Sequence, residues 1–239
     1  AGGFGRAPHM NGMSETIQLA LLLIPCLIVA IVFHEVAHGW AALALGDPTA
    51  KEQRRLSLNP IRHVDPIGTL LVPGALALFG GPIFGWAKPV PVNFARLNNP
   101  RVGMMLVAAA GPGTNILLAA LGAISLGLYA GTLVAPPVGV SEYVFGGLQL
   151  FIMINVFLAL FNLLPIPPFD GSHIVEGMLP RSMAHHYAKL RNVGMLLFIG
   201  LIAATWAFPE AGIIENTVGV PVEWVQGQFL RLAQWVAGA

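Results

Sequence analysis

Two long stretches of this chain carry no charged residue, and they restrict the fold more than any other feature. Residues 102–141 contain no Asp, Glu, Lys or Arg, and neither do residues 143–169. An α-helix needs about 20 apolar residues to cross a bilayer, so each stretch can hold one crossing. Hydrophobic residues make up 56% of the chain and charged residues 10%, well below the roughly 25% charge of soluble domains. The sequence therefore predicts an all-α polytopic membrane protein.

The apolar residues fall into five segments, at 17–45, 67–86, 102–130, 143–164 and 193–208. Segment 67–86 differs from the others because glycine and proline interrupt it repeatedly. Irregular backbone at membrane depth is tolerated only where protein or water satisfies its polar groups, so this segment is predicted to be re-entrant and partly extended. We expect four full crossings, within a range of about four to six transmembrane helices.

The basic residues of the linkers predict the orientation of these crossings. Lys and Arg occur in linkers 46–65, 87–101 and 170–192, but not in 131–142 or 209–228. The positive-inside rule places the first three linkers in the cytoplasm, so segment 67–86 dips into the membrane and returns.

The ends of the chain are predicted to stand apart from the membrane core. Residues 1–10 resemble the remnant of an expression tag, and residues 11–208 form the core. Residues 209–239 are predicted to contain an amphipathic helix on the outer interface, with Trp224 and Trp235 as anchors. The net charge of +1 argues against a nucleic-acid partner.

The first apolar segment contains the motif His34-Glu35-Val36-Ala37-His38. On a helix this spacing places two imidazoles one turn apart on one face, where they can chelate zinc. Glu35 beside them can act as a general base towards a zinc-bound water. Polar groups inside a membrane are costly and usually functional, which disfavours two histidines that serve only packing.

A third zinc ligand is predicted after the proline-rich run 165–169, where Asp170, His173 and Glu176 follow one another. We favour Asp170, because it comes first after the fourth apolar segment and lies on the same predicted side as the histidines. Its alternative role is the N-cap of the following helix. His173 is a candidate neighbour of the ligands or a packing residue, and His63 is predicted to be solvated in a charged linker.

Two further regions are candidates for contact with a substrate. Asn115 lies mid-membrane and either bonds across helices or steadies substrate or an oxyanion near zinc. Asn155 and Asn162 are predicted to join helices, although Asn162 is close enough to Asp170 to support it. In segment 88–94, two prolines leave the N–H groups of Val90, Val92 and Phe94 on one edge. This edge is predicted to capture an unwound substrate by β-augmentation, the alternative being a rigid turn.

The chain resembles the site-2 protease family of intramembrane zinc metalloproteases. The resemblance covers most of residues 34–174 through HEVAHGWAALALGDPTA, LNPIRHVDPIGTLLVPG, GPIFGWAKPVPVNF, AAAGPGTNILLA and FNLLPIPPFDGSHI. It implies that His34, His38 and Asp170 bind one zinc ion and that Glu35 is the base. Phe169 stands where the family usually has leucine, and no insertion resembles a PDZ or CBS domain.

The expected function is therefore an intramembrane zinc endopeptidase that acts on a transmembrane protein or peptide. We expect it in the plasma membrane, with its active site towards the cytoplasm. A metal transporter or metal-binding membrane protein is the alternative, although transport does not require Glu35 between the histidines. A silent scaffold that binds transmembrane helices is a second alternative, disfavoured by the intact set of ligands and base.

Overall fold

The computed structural model describes residues 12–72, 75, 78 and 85–238. Within these ranges every regular element is helical and no β-strand is present, which confirms the predicted all-α class. The predicted tag remnant at residues 1–10 lies outside the described residues. The α-helices, numbered in chain order, are α1 (Gly12–Ala44), α2 (Thr49–Glu52), α3 (Pro100–Ala130), α4 (Val140–Asn162), α5 (Asp170–Met178), α6 (Arg181–Ala188), α7 (Arg191–Ala207) and α8 (Val220–Ala237).

Three of the described helices are long and apolar enough to cross a membrane, namely residues 17–44 of α1, all of α3 and all of α4. A fourth span results if α6 and α7 are counted as one broken span, bent by 57°. The predicted crossing at 193–208 corresponds to α7, whose 17 residues extend about 25 Å. The polytopic membrane fold is thus confirmed, with three to four candidate spans.

Helix α3 lies at the centre and packs against α1, α4, α5 and α8. Its buried positions are rich in small residues, including Ala108, Ala119 and Ala123. Apolar lipid tails give little hydrophobic drive for helix association, so close packing through small residues holds such helices together. The same closeness brings polar side chains of neighbouring helices within hydrogen-bonding distance.

The C-terminal segment packs on this bundle. Val218, Val222 and Ala233 are buried in a cluster with residues of α3 and α4. Trp224 and Trp235 are exposed, at 67% and 77% of their surface. Helix α8 is not one of the three described helices that are long and apolar enough to span a membrane alone. Its placement along the outer interface stays a prediction.

Segment 67–86 is described only in part, since residues 73, 74, 76, 77 and 79–84 lie outside the described residues. A π-helical turn, Pro66–Leu71, begins it, and the Asp65 carboxylate accepts the N–H groups of Ile67 and Gly68. The Trp86 N–H donates to the Gly68 carbonyl at 3.1 Å. The two ends of the segment therefore lie side by side, as a re-entrant path requires.

Candidate metal centre

Helix α1 places His34 and His38 one turn apart, deep within its apolar span. Both side chains are buried, and their Nε2 atoms lie 3.1 Å apart. His34 is ten residues from the end of the span at Ala44, which is about 15 Å along a helix. A small residue opposite makes room for the rings, because a Cβ at Gly111 would lie 2.5 Å from His38 Nε2 and 2.6 Å from His34 Cε1.

Asp170, the first residue of α5, completes the group. Its Oδ2 atom lies 3.2 Å from His34 Nε2 and 3.3 Å from His38 Nε2. The N-cap of α5 is Phe169, so the alternative prediction of an N-cap role for Asp170 is not supported. A Cβ at Gly171 would collide with the carbonyl oxygens of Leu163 and Leu164, so glycine lets α5 begin tightly against the end of α4.

The outer nitrogens of both imidazoles show which atoms face the centre. His38 Nδ1 lies 2.7 Å from the Val107 carbonyl oxygen, and His34 Nδ1 lies 2.6 Å from Asn115 Oδ1. A carbonyl oxygen only accepts, so Nδ1 of His38 carries a hydrogen, and in the neutral ring, the form that binds a metal, Nε2 presents a lone pair. In metal-binding histidines the N–H of the second ring nitrogen typically donates a hydrogen bond in this way.

Three electron-pair donors therefore converge within 4.8 Å of one another. Asp170 Oδ2 is buried and accepts no hydrogen bond within the described part of the chain. Lone pairs so close together repel, and a cation among them turns this repulsion into binding. Two imidazoles and one carboxylate are also a ligand set of catalytic zinc sites, which keep a further position for water. The donor set fits zinc.

Glu35, next to His34 in the motif, also contacts the segment 85–93, which we name the strap. Glu35 Oε2 accepts the Val90 N–H at 2.8 Å, and Val90 is buried. The strap has no regular secondary structure. The sequence predicted the N–H groups of Val90, Val92 and Phe94 to be free, but that of Val90 is bound to Glu35. Phe94 begins a short 3-10 helix, Phe94–Arg96, so it does not continue an extended edge.

Side chains that sequence reasoning did not single out hold the ends of the strap. The Arg55 guanidinium donates to the Lys88 carbonyl at 2.8 Å, and the Asn93 N–H donates to Asp47 Oδ2 at 2.6 Å. The Lys88 N–H donates to the His63 carbonyl at 2.8 Å. His63 is only 3% exposed, so its predicted solvation is wrong, because the charged linker folds over the strap. Only Asp47 could have been found from the sequence, because an Asp two residues before a Thr is typical of a turn.

The other polar residues predicted to support the site differ in how closely they contact the three proposed ligands. Asn115 is fully buried and contacts His34 directly. Asn162 donates to the Leu158 carbonyl at 2.9 Å, one turn earlier on α4, and no described hydrogen bond joins it to Asp170. Burial, followed by the charge of Arg191, lowers the pKa of His173, which has no described hydrogen bond to the ligands. Support of the metal by Asn162 or His173 stays a prediction.

Comparison with known proteins identifies the family. The sequence profile of Peptidase family M50 matches residues 134–205, which include Asp170. YwhC of Bacillus subtilis (strain 168), whose name places it among zinc metalloproteases, is 39% identical over 189 residues, 77% of this chain and 81% of YwhC. Rip2 of Mycolicibacterium smegmatis, named likewise, is 27% identical over 188 residues, 78% of this chain and 68% of Rip2. No solved structure matches the chain significantly.

The geometry and the relatives favour the same one of the predicted functions. A buried His-His-Asp group beside a glutamate suits hydrolysis by zinc-activated water, and the relatives carry zinc-metalloprotease names. The metal-transporter alternative has no such support. The chain belongs to peptidase family M50, and it is a zinc metalloendopeptidase of the site-2 protease type.

Proposed function

We propose that this protein cleaves a peptide bond in or near the transmembrane segment of a membrane-protein substrate. The depth of the metal centre carries the proposal. His34 and His38 lie inside an apolar span of 28 residues, and their partner residues come from α3 and α5 rather than from a separate soluble domain. A substrate must therefore bring its peptide bond to membrane depth.

His34, His38 and Asp170 are the proposed zinc ligands. Zinc, when bound, lowers the pKa of its water towards roughly 7 and polarises the scissile carbonyl. Glu35 is the proposed general base, which accepts the proton of the attacking water and passes it to the leaving amine. Its Oε2 atom is held by the Val90 N–H. This contact restrains the carboxylate through Oε2 and leaves Oε1 to accept the proton.

The strap is the proposed docking site for the unwound substrate. Pro89 and Pro91 have no N–H group, and the Val90 N–H is bound to Glu35. The Val92 N–H has no described partner, so it can pair with a substrate carbonyl. Capture through Val92 would place the substrate beside Glu35 without breaking the contact that orients it. A substrate that pairs with Val90 as well must first displace Glu35.

The proposed location is the plasma membrane, with the metal centre towards the cytoplasm. The Lys and Arg residues of linkers 46–65, 87–101 and 170–192 support this orientation through the positive-inside rule. The contacts of Arg55 and Asp47 with the strap join the first two of these linkers. Linkers so joined belong on one side of the membrane.

The substitution Glu35→Gln tests the proposed cleavage. We expect new protein N-termini inside transmembrane segments in cells with the wild type, and a loss of roughly 100-fold or more with Glu35→Gln, since general bases contribute that much. Mass spectrometry of membrane-protein N-termini, at equal zinc content, measures this. Glu142→Gln, an exposed acid at the start of α4, is the matched control. Identical termini in wild type and Glu35→Gln would refute intramembrane proteolysis by this base.

A further inference from the structure

Two asparagines, Asn115 of α3 and Asn155 of α4, are fully buried where α1, α3 and α4 meet. Burying an amide is costly unless its hydrogen bonds are made. We propose that Asn155 is a positioning residue for the zinc site, which acts through Asn115 to fix the tautomer and orientation of His34. The inference rests on the proposed role of His34 as a zinc ligand.

The orientation of the whole chain of contacts follows from one backbone carbonyl. The Phe151 carbonyl oxygen can only accept, and Asn155 Nδ2 lies 2.9 Å from it. Asn155 must therefore present its Oδ1 to the other side, where Asn115 Nδ2 donates to it at 2.9 Å. The second hydrogen of Asn115 Nδ2 goes to the Ala30 carbonyl at 3.2 Å. Both partners fix the Asn115 amide in one orientation.

The last step of the chain reaches the ligand. Because Asn115 Nδ2 donates both of its hydrogens elsewhere, the amide presents Oδ1 to His34 Nδ1 at 2.6 Å. This oxygen only accepts, so neutral His34 must carry its hydrogen on Nδ1 and keep the Nε2 lone pair for the metal. A simple helix-joining role explains the contact between the two asparagines, but it leaves the contact with His34 unexplained.

The hydrogen bonds of the Asn115 amide also exclude its predicted role in stabilising an oxyanion. An amide group has two hydrogens, and Asn115 donates one to Ala30 and the other to Asn155. Neither hydrogen remains to stabilise a substrate oxyanion. The geometry thus assigns Asn115 to the orientation of His34 rather than to direct contact with substrate.

His38 provides an internal reference within the same site. Its Nδ1 donates directly to the Val107 carbonyl at 2.7 Å. No side-chain substitution in α3 or α4 removes that acceptor, whereas the acceptor for His34 depends on two amide side chains. Loss of Asn155 should therefore change His34 and leave His38 as it is.

Nuclear magnetic resonance of the zinc-free protein, labelled with 15N at histidine and held in detergent micelles at a pH where the spectra show neutral imidazoles, tests the inference. Ring nitrogen shifts distinguish the two tautomers, and the signals of His34 are assigned by their loss in His34→Ala. We expect Nδ1–H for His34 in the wild type and a mixture of tautomers in Asn155→Leu, with His38 unchanged. Zinc affinity, measured by competition with a chelator, should fall roughly tenfold, the lower end for residues that support metal ligands.

Two comparisons separate positioning from general stability. Thr205→Val removes a similar bond from a side chain to a carbonyl one turn earlier, on α7 and away from the zinc site, and it should leave the His34 signals unchanged. Asn155→Leu should cost no further zinc affinity in an Asn115→Leu background, because both act along one path.

An Nε2–H tautomer of His34 in the wild type would overturn the inference even if the Asn155 variants failed to fold. So would an Asn155→Leu protein with wild-type tautomer and zinc affinity. Normal tautomer and zinc results in a protein that cleaves no membrane protein would instead count against the proposed proteolysis alone.

Discussion

The metal centre is held by packed helices, whereas the strap beside it is held largely by hydrogen bonds from side chains and from two backbone carbonyls. His34, His38 and their acceptors on α3 are buried in a bundle of long helices. The strap meets this bundle through Glu35, Asp47 and Arg55. A zinc site needs fixed ligands, since small displacements weaken coordination. Under the proposed role of the strap, pairing with a substrate needs backbone groups that are placed but unpaired, such as the Val92 N–H.

The largest expected effect is on the centre, from Gly111→Ala. The added Cβ would lie 2.5 Å from His38 Nε2 and 2.6 Å from His34 Cε1, so the imidazoles must leave their present positions. We expect zinc affinity to fall roughly 100-fold, as for strong changes around metal ligands. Zinc content after dialysis and chelator competition measures it.

Gly113→Ala, two residues along the same helix, is the matched control because a Cβ there meets nothing within 4 Å. Alanine is a better helix former than glycine by about 1 kcal/mol, so this variant should keep its zinc and its stability. Equal zinc affinity in both variants would contradict the tight fit between Gly111 and the two rings.

A smaller effect is expected in the strap, from Val92→Pro. Proline removes the N–H proposed to pair with substrate, and one hydrogen bond contributes about 0.5–1.5 kcal/mol. The ratio kcat/KM should fall roughly 2–10-fold while bound zinc stays constant. Val92→Ala keeps the N–H and loses the same side-chain contacts, so it should cleave substrate faster than Val92→Pro. Equal rates would favour the rigid-turn interpretation of segment 88–94.

The smallest effect concerns the end of the strap, at Asp47. Burial by itself raises the pKa of this carboxyl, but hydrogen bonds from Thr49 and from the Asn93 N–H outweigh it and lower the pKa below its ordinary 3.8. The ionised form is thus the one bound in the folded protein. Its stabilisation is complete above the ordinary pKa and is lost as the pH falls through the lowered value.

Asp47→Ala removes both acceptor oxygens, so it should release the Asn93 amide and raise its hydrogen-exchange rate a few-fold at neutral pH, by roughly the loss of one hydrogen bond. The Val90 amide, bound to Glu35, serves as the reference and should exchange at its wild-type rate. Unchanged exchange at Asn93 would mean that the strap is held without Asp47.

Much of the metal centre could be predicted from local patterns. The spacing of His34 and His38 is a property of one helical turn. The prolines before Asp170 indicate where a helix ends and the chain turns back. Asn155 could not be found this way. An asparagine in an apolar helix predicts a bond to another helix, but it does not say to which residue, and the direction of its amide depends on the Phe151 carbonyl and Asn115.

The contacts of the strap also could not be predicted from the sequence. Its prolines show which residues lack an N–H group, yet they do not indicate that the Val90 N–H meets Glu35, 55 residues earlier. His63 was misplaced for the same reason. A charged linker is usually solvated, and only its folding over Lys88 buries this histidine.

The sequence by itself determined the membrane-spanning helices and the pair of histidines one turn apart. Both are local, because a bilayer demands long charge-free helices and a helix repeats its faces every turn. The tertiary structure decided the tautomer of His34, the direction of Glu35 and the anchoring of the strap. Those features depend on hydrogen bonds between residues 40 or more apart in the chain, which exist only once the helices and the linkers around the strap have packed.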